Sequence, residues 1–319
     1  MDRDINNYSV AGRIGEGAHG LVFKARHLPT GREVALKKIL IKNLDDGIPV
    51  SVMREIKALQ LLKCKYVVKL YDMFPRGSSL VLVLEYMCSS LWEVLHQRPA
   101  ELTAPRAKAY AGMLLKGTRY MHAHYVMHRD LKPANLLINY AGILKIADLG
   151  LARLYWPDGG RPYSHQVATR WYRAPELLYG ARYYNEKVDM WAVGCIIAEM
   201  LTKQPLFPGE SDIEQLAIVL RHLGTPTEET WPNHCELPDY HKITFPPSEA
   251  TPWSELLPGV DTDAVNLIKS LIMYNTDKRI SAKEALKHQW FTMRPLPAVL
   301  EDMPKPANTN KPAIINLPV

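Results

Sequence analysis

Two short segments near the middle of the chain carry side chains that suit the transfer of a phosphoryl group. Residues 128–135 read HRDLKPAN, and Asp148 follows in the string IADLG. Phosphoryl transfer needs little covalent help from a protein, whose residues chiefly position the reactants and balance charge. Asp130 is predicted to orient an attacking hydroxyl and accept its proton, and Lys132 to neutralise the transferred phosphate. Asn135 and Asp148 offer the oxygen ligands that Mg²⁺ prefers, so both are predicted metal ligands.

A glycine-rich string upstream suits the phosphates of a nucleotide. Residues 15–22, GEGAHGLV, fit the pattern GxGxxGxV between two predicted strands, and glycines let the backbone approach a polyphosphate closely. Taken alone, the string fits an ordinary glycine-rich hairpin at least as well as a phosphate-binding loop. A strand rather than a helix follows it, which disfavours a dinucleotide-binding fold. The predicted nucleotide contacts in this segment are Ile14, Gly15, Glu16, Gly17, Ala18, His19, Gly20 and Val22.

Lys37 and Glu55 strengthen the nucleotide interpretation. Lys37 ends the apolar string VALK, where its ammonium is suited to α- and β-phosphate oxygens. Glu55 lies in VSVMREIKALQLL, a predicted helix in which Val52, Ile56 and Leu59 recur at helical spacing. An ion pair between the two side chains would hold the Lys37 ammonium in place. Either residue on its own is more typical of a solvated surface charge.

The rest of the chain divides into a strand-rich part and a helix-rich part. β-branched runs separated by turn residues predict a small sheet up to about residue 87, and helical segments such as PRAKAYAGMLLKGTRYMHAH follow. We therefore predict an α+β fold with an N-terminal lobe at residues 1–87 and a C-terminal lobe at 88–291. Residues 292–319 are rich in proline and are predicted to form a mobile or surface-draped tail.

Composition limits the class of protein. The formal net charge is +6 and the pI is near 9.0, but the Lys and Arg residues are scattered along the chain. Binding of phosphate groups accounts for this charge just as well as binding of nucleic acid or of a membrane surface would. The four cysteines form no CxxC pair, which predicts reduced thiols. The polar N-terminus predicts no signal peptide, and no apolar run reaches the roughly 18 residues of a membrane span. These features favour the cytosol or nucleus.

Together the motifs resemble the eukaryotic protein kinases from about Tyr8 to Phe291. The resemblance implies a two-lobed fold that binds ATP and Mg²⁺ in the cleft between the lobes. It also implies that Leu84 is the gatekeeper residue and that Glu85 and Met87 present backbone groups to adenine. The apolar side chains implied to sandwich the adenine ring are Val22, Ala35 and Leu137.

One residue departs from the family pattern. Most members have Phe between the metal-binding Asp and the following Gly, whereas this chain has Leu149. Leucine fills much of the same space, at a loss of about 1 kcal/mol of aromatic packing. We expect an altered balance between active and inactive states rather than loss of activity. The residues that match the stack linking the lobes of active kinases are Leu59, Leu70, His128 and Leu149.

Residues 169–176, TRWYRAPE, resemble the group that contains the cyclin-dependent and mitogen-activated kinases. The resemblance implies protein substrates in which Pro follows the Ser or Thr acceptor, a preference linked to Arg173. A site that offers no acceptor for the backbone N–H of the residue after the Ser or Thr favours proline there, because proline has no N–H. The strings LKKI, REIKALQ and HQVATRWYRAPELLYGAR are most similar to the cell-cycle-related kinase branch of the cyclin-dependent family. This implies a role in cell-cycle or signalling control.

Ser164 occupies the position where relatives carry an activating phosphothreonine. Arg54, Arg129 and Arg153 match the three arginines that gather around that phosphate, and together they suit a fork of bidentate phosphate contacts. The resemblance implies that the stretch between Asp148 and residues 174–176 is the activation segment, and we predict that an upstream kinase phosphorylates Ser164 and orders this segment. Residues 18–19 read Ala-His where the well-known cell-cycle members carry an inhibitory Thr-Tyr pair. That brake is therefore expected to be absent.

The helix that binds cyclin in those members reads PSTAIRE, and residues 49–55 here read PVSVMRE. The Arg-Glu pair is retained, but the apolar docking residue has become the more adaptable Met53. A cyclin or cyclin-like activator is thus compatible with the sequence but not identified by it.

Some prominent residues are interpreted as structural. Glu176 and Arg279 match a buried ion pair of the C-terminal lobe, and Asp189 matches the residue that braces the catalytic loop. Three tryptophans lack interleaved basic residues and are interpreted as core aromatics rather than nucleic-acid stacking platforms: Trp171, Trp191 and Trp290.

Two other classes of protein compete with a Ser/Thr kinase. A pseudokinase scaffold would bind partners without catalysis, but loss of Lys37, Asp130 or Asp148 would be expected, and all three are present. A small-molecule phosphotransferase would lack the APE string at residues 174–176. The predicted partners are protein substrates, an upstream kinase and a cyclin-like activator, with no nucleic acid and no membrane insertion. Nuclear and cytoplasmic residence is expected, with the cilium suggested by resemblance only.

Overall fold

Five antiparallel strands form one sheet in the N-terminal part of the chain. The computed structural model describes residues 5–17, 20–41, 48–156 and 160–304 of the 319. The strands of this sheet are β1 (Tyr8–Gly17), β2 (Gly20–His27), β3 (Arg32–Leu40), β4 (Leu70–Arg76) and β5 (Ser79–Glu85). Their order is β1-β2-β3-β5-β4, which places β3 at the centre.

The alternation of β3 separates packing side chains from functional ones. Successive side chains of a strand point to opposite faces. Val34 and Leu36 pack in an apolar cluster on one face. Ile39 packs on the other face, against the side chains of the following helix. Ala35 and Lys37 share the face of Ile39 and therefore point toward the interior between the two lobes.

The helix α1 (Val50–Leu61) lies against this face, where the sequence predicted a helix. Its buried side includes Val52, Ile56 and Leu59, which recur at helical spacing. Glu55 is buried on the same side. The amphipathic pattern of α1 thus directs the Glu55 carboxylate toward β3.

Helices dominate the chain after residue 90. They are α2 (Leu91–Gln97), α3 (Ala104–Ala123), α4 (Pro175–Leu178), α5 (Lys187–Thr202), α6 (Asp212–Leu223), α7 (Trp253–Leu256), α8 (Thr262–Leu271) and α9 (Ala282–Ala285). α5 is buried on all sides from Val188 to Met200 and forms the centre of the core, with α3 and α8 packed against it. A capping box starts α2, because Ser90 Oγ accepts from the Glu93 N–H at 3.2 Å while Glu93 Oε2 accepts from the Ser90 N–H at 3.1 Å.

Short strands under the cleft hold the two chemical motifs. They are β6 (Ser89–Ser90), β7 (Val126–Met127), β8 (Leu136–Ile138), β9 (Leu144–Ile146) and β10 (Arg153–Leu154). β6, β8 and β9 form one sheet, and β7 pairs with β10. Residues 128–135 therefore span β7 to β8, and Asp148 lies between β9 and β10. The two pairings bring the motifs side by side.

The described part of the tail, residues 292–304, lies along α3. The Ala298 N–H donates to the Pro105 carbonyl at 2.9 Å, and Met303 is buried. This part therefore follows α3 in an irregular path, while residues 305–319 of the predicted tail lie outside the described chain. None of the helices in the described residues combines the length and hydrophobicity needed to cross a bilayer.

Candidate active site

A buried ion pair joins β3 to α1. Lys37 Nζ donates to both carboxylate oxygens of Glu55, at 2.7 and 2.8 Å. Lys37 is 9% exposed and Glu55 2%. Because buried charges persist when they are paired and hydrogen-bonded, the pair fixes the Lys37 ammonium at the interior edge of the sheet. The ion pair predicted from the sequence is confirmed.

A cleft between the lobes is lined by most of the predicted nucleotide contacts. These are Ile14, Gly15, Glu16, Val22, Ala35, Lys37, Glu55, Leu84, Glu85, Met87, Asn135, Leu137 and Asp148. Val68, Ala134 and Ala147 also line it and were not predicted. Ala18 and His19 lie outside the described residues, and Gly17 pairs with Gly20 where β1 and β2 meet. The lining is apolar on the side of Val22 and Leu137 and charged toward Lys37, which suits a flat ring attached to an anionic group.

The glycines of the string differ in what they require. Gly20 has φ of +145°, and a Cβ there would lie 1.9 Å from the Lys38 carbonyl oxygen. Glycine is therefore needed at residue 20 for β2 to approach β3. A Cβ on Gly15 would instead meet only Val22 Cβ, at 3.9 Å. Packing within the chain does not require a glycine at residue 15, which agrees with its predicted role beside a phosphate.

The connection between the lobes is tied at both ends. The Glu85 N–H donates to the Lys69 carbonyl at 2.8 Å, and Glu85 Oε2 accepts from Lys145 Nζ at 2.7 Å. The Cys88 N–H donates to the Ile138 carbonyl at 3.0 Å. Since the Glu85 N–H is engaged, the backbone group that Glu85 can present to a ligand is its carbonyl.

Donors hold both oxygens of the Asp130 carboxylate. Oδ1 accepts from the backbone N–H and the hydroxyl of Thr169, at 2.9 and 3.0 Å, and Oδ2 accepts from Asn135 Nδ2 at 3.0 Å. Lys132 Nζ lies 3.4 Å from Asp130 Oδ2 and donates to Thr169 Oγ1 at 2.8 Å. The three predicted catalytic residues, Asp130, Lys132 and Asn135, thus form one hydrogen-bonded cluster. Thr169 belongs to it and was not predicted.

A buried carboxylate braces the catalytic loop. Arg129 has φ of +68°, which non-glycine residues rarely adopt. Asp189 accepts from the N–H groups of His128 and Arg129, both at 2.8 Å, and lies 2.9 Å from His122 Nε2. Burial alone would raise the pKa of Asp189. The net effect is a lowered pKa, because the hydrogen bond and charge of His122 outweigh burial together with smaller contributions from His128 and the Arg129 N–H. The predicted brace is confirmed.

The metal-binding prediction rests on Asn135 and Asp148. Asn135 Nδ2 donates to the Asp130 backbone carbonyl at 2.8 Å as well as to its side chain, so the Asn135 amide oxygen is turned away from Asp130. Asp148 has φ of +56° and opens the turn Leu149–Leu151. An amide oxygen and a carboxylate facing one cleft are hard ligands that fit Mg²⁺. When bound, Mg²⁺ would neutralise charge on phosphate oxygens.

His128 links the catalytic loop to the loop of Asp148. Its Nδ1 accepts from the Asp130 N–H at 3.1 Å, so the proton lies on Nε2, which donates to the Ala147 carbonyl at 2.9 Å. Leu149, the departure from the family pattern, is fully buried in the same core cluster as Leu59, with Leu70 packed against that cluster. The turn that begins at Leu149 packs against α1.

The three predicted phosphate-gathering arginines come together. The pKa of Arg54 is lowered chiefly by burial and then by the nearby guanidinium groups of Arg153 and Arg129. The pKa of Arg153 is lowered chiefly by burial and then by the guanidinium group of Arg129. The Nε atoms of Arg54 and Arg153 are buried with no hydrogen-bond partner in the described part of the chain. Arg129 donates to the Tyr184 hydroxyl at 2.8 Å, which donates to the Ser164 carbonyl at 2.5 Å. Ser164 is exposed beside this cluster.

Arg173 fixes the backbone that follows Ser164. Its Nε donates to the Val167 carbonyl and its NH2 group to the Ala168 carbonyl, both at 2.9 Å. Its NH1 group donates to Asp212 at 2.9 Å, and Asp212 also accepts from Arg170 at 2.9 Å. Ala168 has φ of +66°, so its carbonyl is turned to Arg173 in a rare conformation.

The structural predictions hold except at one tryptophan. Arg279 is fully buried and donates to both carboxylate oxygens of Glu176, at 2.8 and 3.1 Å, so the predicted ion pair is confirmed. Trp191 and Trp290 are core residues. Trp171 is 38% exposed and its Nε1 donates to a backbone carbonyl at 3.0 Å, so its assignment to the core was wrong.

The fold and this site define the class of protein. The protein kinase domain family matches residues 8–291, and the chain belongs to that family and, within it, to the cyclin-dependent kinases. It is an ATP- and Mg²⁺-dependent Ser/Thr protein kinase by family. Among the relatives, cyclin-dependent kinase 20 from Danio rerio is 56% identical over 308 residues, which cover 96% of this chain and 90% of the relative. The Homo sapiens protein of the same name is 53% identical over 310 residues, covering 97% and 90%.

Two further proteins are similar at lower sequence identity. Cyclin-dependent kinase D-1 from Arabidopsis thaliana is 43% identical over 295 residues, covering 92% of this chain and 73% of the relative. A chain of the CAK complex from Chaetomium thermophilum, solved with bound ATP-γ-S, superposes with a TM-score of 0.87 at 35% identity, covering 94% of this chain and 96% of the other. The branch of the cyclin-dependent family inferred from the sequence is confirmed.

Proposed function

We propose that this chain is a proline-directed Ser/Thr protein kinase of cell-cycle or signalling control, activated by phosphorylation of Ser164 and by a cyclin-type partner. Asp130, oriented by Thr169 and Asn135, would accept the proton of the substrate hydroxyl. Lys132 beside it would balance charge on the transferred phosphate. A peptide phosphorylation assay with Mg²⁺ and ATP, using Asp130→Asn as the control, distinguishes this enzyme from a pseudokinase scaffold, which would transfer no phosphate.

Proline direction is supported by the Ala168 carbonyl, and this is the observation that carries the proposal. That oxygen accepts from Arg173 at 2.9 Å and would therefore not be available to an N–H of an incoming peptide. A residue after the acceptor that carries an N–H would lose its hydrogen bond on docking, whereas proline has no N–H to leave unpaired. An unpaired donor costs about 1–3 kcal/mol, which corresponds to a preference of about 5- to 150-fold for proline.

The test compares kcat/KM for a Ser-Pro peptide with that for the same peptide carrying Ser-Ala. We expect Arg173→Gln to bring the ratio close to one by releasing the Ala168 carbonyl. Arg170→Gln is the matched control, because Arg170 shares Asp212 with Arg173 but does not bond to the Val167 or Ala168 carbonyl. A ratio that stays high in Arg173→Gln, or falls equally in Arg170→Gln, would contradict the proposal.

Control by Ser164 is supported by the charge of its surroundings. Three guanidinium groups crowd together, and two of them keep buried Nε atoms without a described partner, so an added dianion would relieve repulsion and supply acceptors. The Tyr184 hydroxyl already connects Ser164 to Arg129. A phosphate at Ser164 would therefore bind the segment to α1 through Arg54.

Homogeneous Ser164-phosphorylated and unphosphorylated protein test this control. We expect phosphorylation to raise kcat/KM at least about tenfold, and Arg153→Gln to remove most of that gain without changing the activity of the unphosphorylated form. Ser254→Ala, a change at an exposed serine of α7, serves as the control for general effects of serine loss. Equal activity of the two phosphorylation states would exclude the switch.

A cyclin-type activator is supported by an exposed apolar stripe on α1. Val50, Met53 and Leu61 are 63%, 36% and 46% exposed, and Leu154 and Trp156 of the activation segment are 53% and 46% exposed. Apolar area of this kind marks a protein-binding surface. Co-purification from cells should recover a cyclin-type protein, and Met53→Glu should abolish the complex. An unaffected complex would exclude α1 as the docking face.

The proposed residence is the nucleus and cytoplasm, with the cilium suggested by the resemblance alone. The motif resemblance supports this assignment. Imaging of the tagged full-length chain at its native expression level would test it.

A further inference from the structure

Three side chains meet where the two lobes join, and we call them the interlobe cluster: Lys24, Tyr86 and Tyr140. Lys24 lies on β2 of the N-terminal lobe, and Tyr86 lies in the connection between the lobes. Tyr140 lies in the turn between β8 and β9 of the C-terminal lobe. None of the three side chains is part of the described cleft lining. The cluster therefore joins both lobes outside the nucleotide site.

The Lys24 ammonium is the centre of the interlobe cluster. Its Nζ lies 4.5 Å from the centroid of the Tyr86 ring, 6.0 Å from that of the Tyr140 ring and 3.4 Å from the Tyr140 hydroxyl. A cation at such distances is attracted by the electron-rich face of an aromatic ring. Lys24 Nζ also lies 2.7 Å from the carboxylate of Glu33 on β3, which holds the lysine side chain against the sheet.

The register of the large sheet places Lys24 beside the nucleotide contacts. Val22 and Lys24 are two residues apart on β2, so their side chains share one face. Lys24 is paired with Ala35 of β3, and directly paired residues of antiparallel strands also share a face. Val22 and Ala35 both line the cleft. The Lys24 side chain therefore extends from the cleft-facing side of the sheet to the connection and the C-terminal lobe.

The turn that carries Tyr140 is fixed by its own hydrogen bonds. Asn139 Oδ1 accepts from the N–H groups of Ala141 and Ile143, both at 3.0 Å. The Gly142 N–H donates to the Asn139 carbonyl at 2.9 Å, and Gly142 has φ of +75°. Although Tyr140 is 43% exposed, its backbone is held in place, so its ring offers Lys24 a fixed point of contact on the C-terminal lobe.

We propose that the interlobe cluster holds the two lobes in the arrangement that binds nucleotide, with Lys24 as a positioning residue. The cleft takes its nucleotide contacts from both lobes, since Lys37 lies on β3 and Asp148 follows β9. A rotation of the lobes about the connection would separate Lys24 from Tyr140, so their contact stabilises the closed arrangement. A ligand that binds the closed arrangement binds more tightly when that arrangement is more populated.

The test measures the Kd for ADP with Mg²⁺ by titration calorimetry on the purified full-length chain, and the KM for ATP and kcat with a Ser-Pro peptide. We expect Lys24→Met to raise both the Kd for ADP and the KM for ATP about 2- to 5-fold, as for one exposed cation–π contact, with kcat nearly unchanged. Tyr140→Ala should also raise both constants, although it leaves the Lys24–Glu33 pair intact. Lys24→Arg keeps the cation and should bind ADP like the wild type.

The double variant Lys24→Met/Tyr140→Ala should bind ADP no more weakly than the weaker single variant, because one contact can be lost only once. Lys38→Met is the matched control, since Lys38 is also a half-buried lysine of the sheet but shares the face of Leu36, away from the cleft. Wild-type affinity in Tyr140→Ala, effects that multiply in the double variant or an equal loss in Lys38→Met would each overturn the proposal. Should Lys24→Met fail to fold by circular dichroism, Tyr140→Ala decides alone.

Discussion

At the scale of single residues, the reacting groups are oriented by the chain itself. Asp130 is held by Thr169 and Asn135, and Lys132 shares the Thr169 hydroxyl. Because the chain itself supplies these contacts, little reorganisation would be needed when a substrate arrives. Thr169 is the common partner of the base and the cation, so its hydroxyl is the most informative single group to remove.

We predict that Thr169→Val lowers kcat by about 10- to 100-fold while the KM for ATP stays nearly constant. Valine keeps the shape of threonine but takes one acceptor from Lys132 and one donor from Asp130. Steady-state kinetics with a Ser-Pro peptide measure this. Thr169→Ser keeps the hydroxyl and should stay close to wild type. Full activity in Thr169→Val would show that the hydroxyl does not orient Asp130.

Glu199 gives a prediction about pH. It is buried on α5 and accepts from the Tyr172 hydroxyl at 2.7 Å. Burial raises the pKa of Glu199, although Tyr172 and His96 oppose the rise. A carboxyl whose pKa is higher in the folded state than in the unfolded state binds a proton more readily when the protein is folded. Its contribution to the free energy of unfolding therefore increases as pH falls through the folded-state pKa toward the unfolded-state value of about 4.3.

The free energy of unfolding of the wild type, minus that of Glu199→Gln, should therefore rise as pH falls from 7 to 5. Urea unfolding of both proteins at several pH values measures the difference. Glutamine does not titrate, so other ionisable groups cancel in the subtraction. A difference that is constant or falls over this range would refute the raised pKa.

Residues within contiguous motifs were predictable, and residues that support them were not. Residue type and spacing predicted the pair Lys37–Glu55, whereas the pair Glu176–Arg279 was implied only by the resemblance to protein kinases. The Thr169 contact with Asp130 and the Lys145 contact with Glu85 join residues far apart in the sequence, and neither threonine nor lysine is unusual where it stands. Such contacts depend on how the loops fold back.

At the scale of elements, the large sheet and α1 were predictable because their alternation and helical spacing extend over many residues. β6, β7 and β10 have two residues each, too few for a periodic pattern. These short strands nevertheless hold the catalytic loop beside Asp148. α1 is the element whose position matters most for the site, since it carries Glu55 and packs against the turn that begins at Leu149.

We predict that Leu149→Phe alters the balance of active and inactive states. Leu149 is fully buried, so the larger ring is expected to cost about 1–3 kcal/mol or to displace α1, which would lengthen the Lys37–Glu55 contact and lower kcat. Peptide kinetics and the response to an ATP-competitive inhibitor measure the effect. Leu149→Met conserves volume and should change both less. An unchanged rate together with an unchanged inhibitor response would eliminate this view of Leu149.

At the scale of the whole molecule, the described tail closes the outer side of the C-terminal lobe. Lys108 on α3 is 1% exposed, and its Nζ donates to the carbonyls of Met293 and Pro295 at 3.0 and 2.7 Å. Burial lowers the pKa of Lys108. This contact was not predictable from the sequence, because its acceptors are backbone carbonyls of a proline-rich segment for which composition predicted only an irregular path.

We predict that truncation after Phe291 destabilises the chain by a few kcal/mol, because hydrogen bonds to charged groups contribute about 1.5–3 kcal/mol and the core also loses the apolar contacts of the removed Met303. Truncation after Pro304 removes no described contact and should leave the free energy of unfolding nearly unchanged. Lys108→Met tests the cause: it should cost less in the chain truncated after Phe291 than in the full chain, with a coupling of about 0.5–3 kcal/mol in urea unfolding. Strictly additive effects would mean that the tail is held by its other contacts and that Lys108 contributes nothing to its attachment.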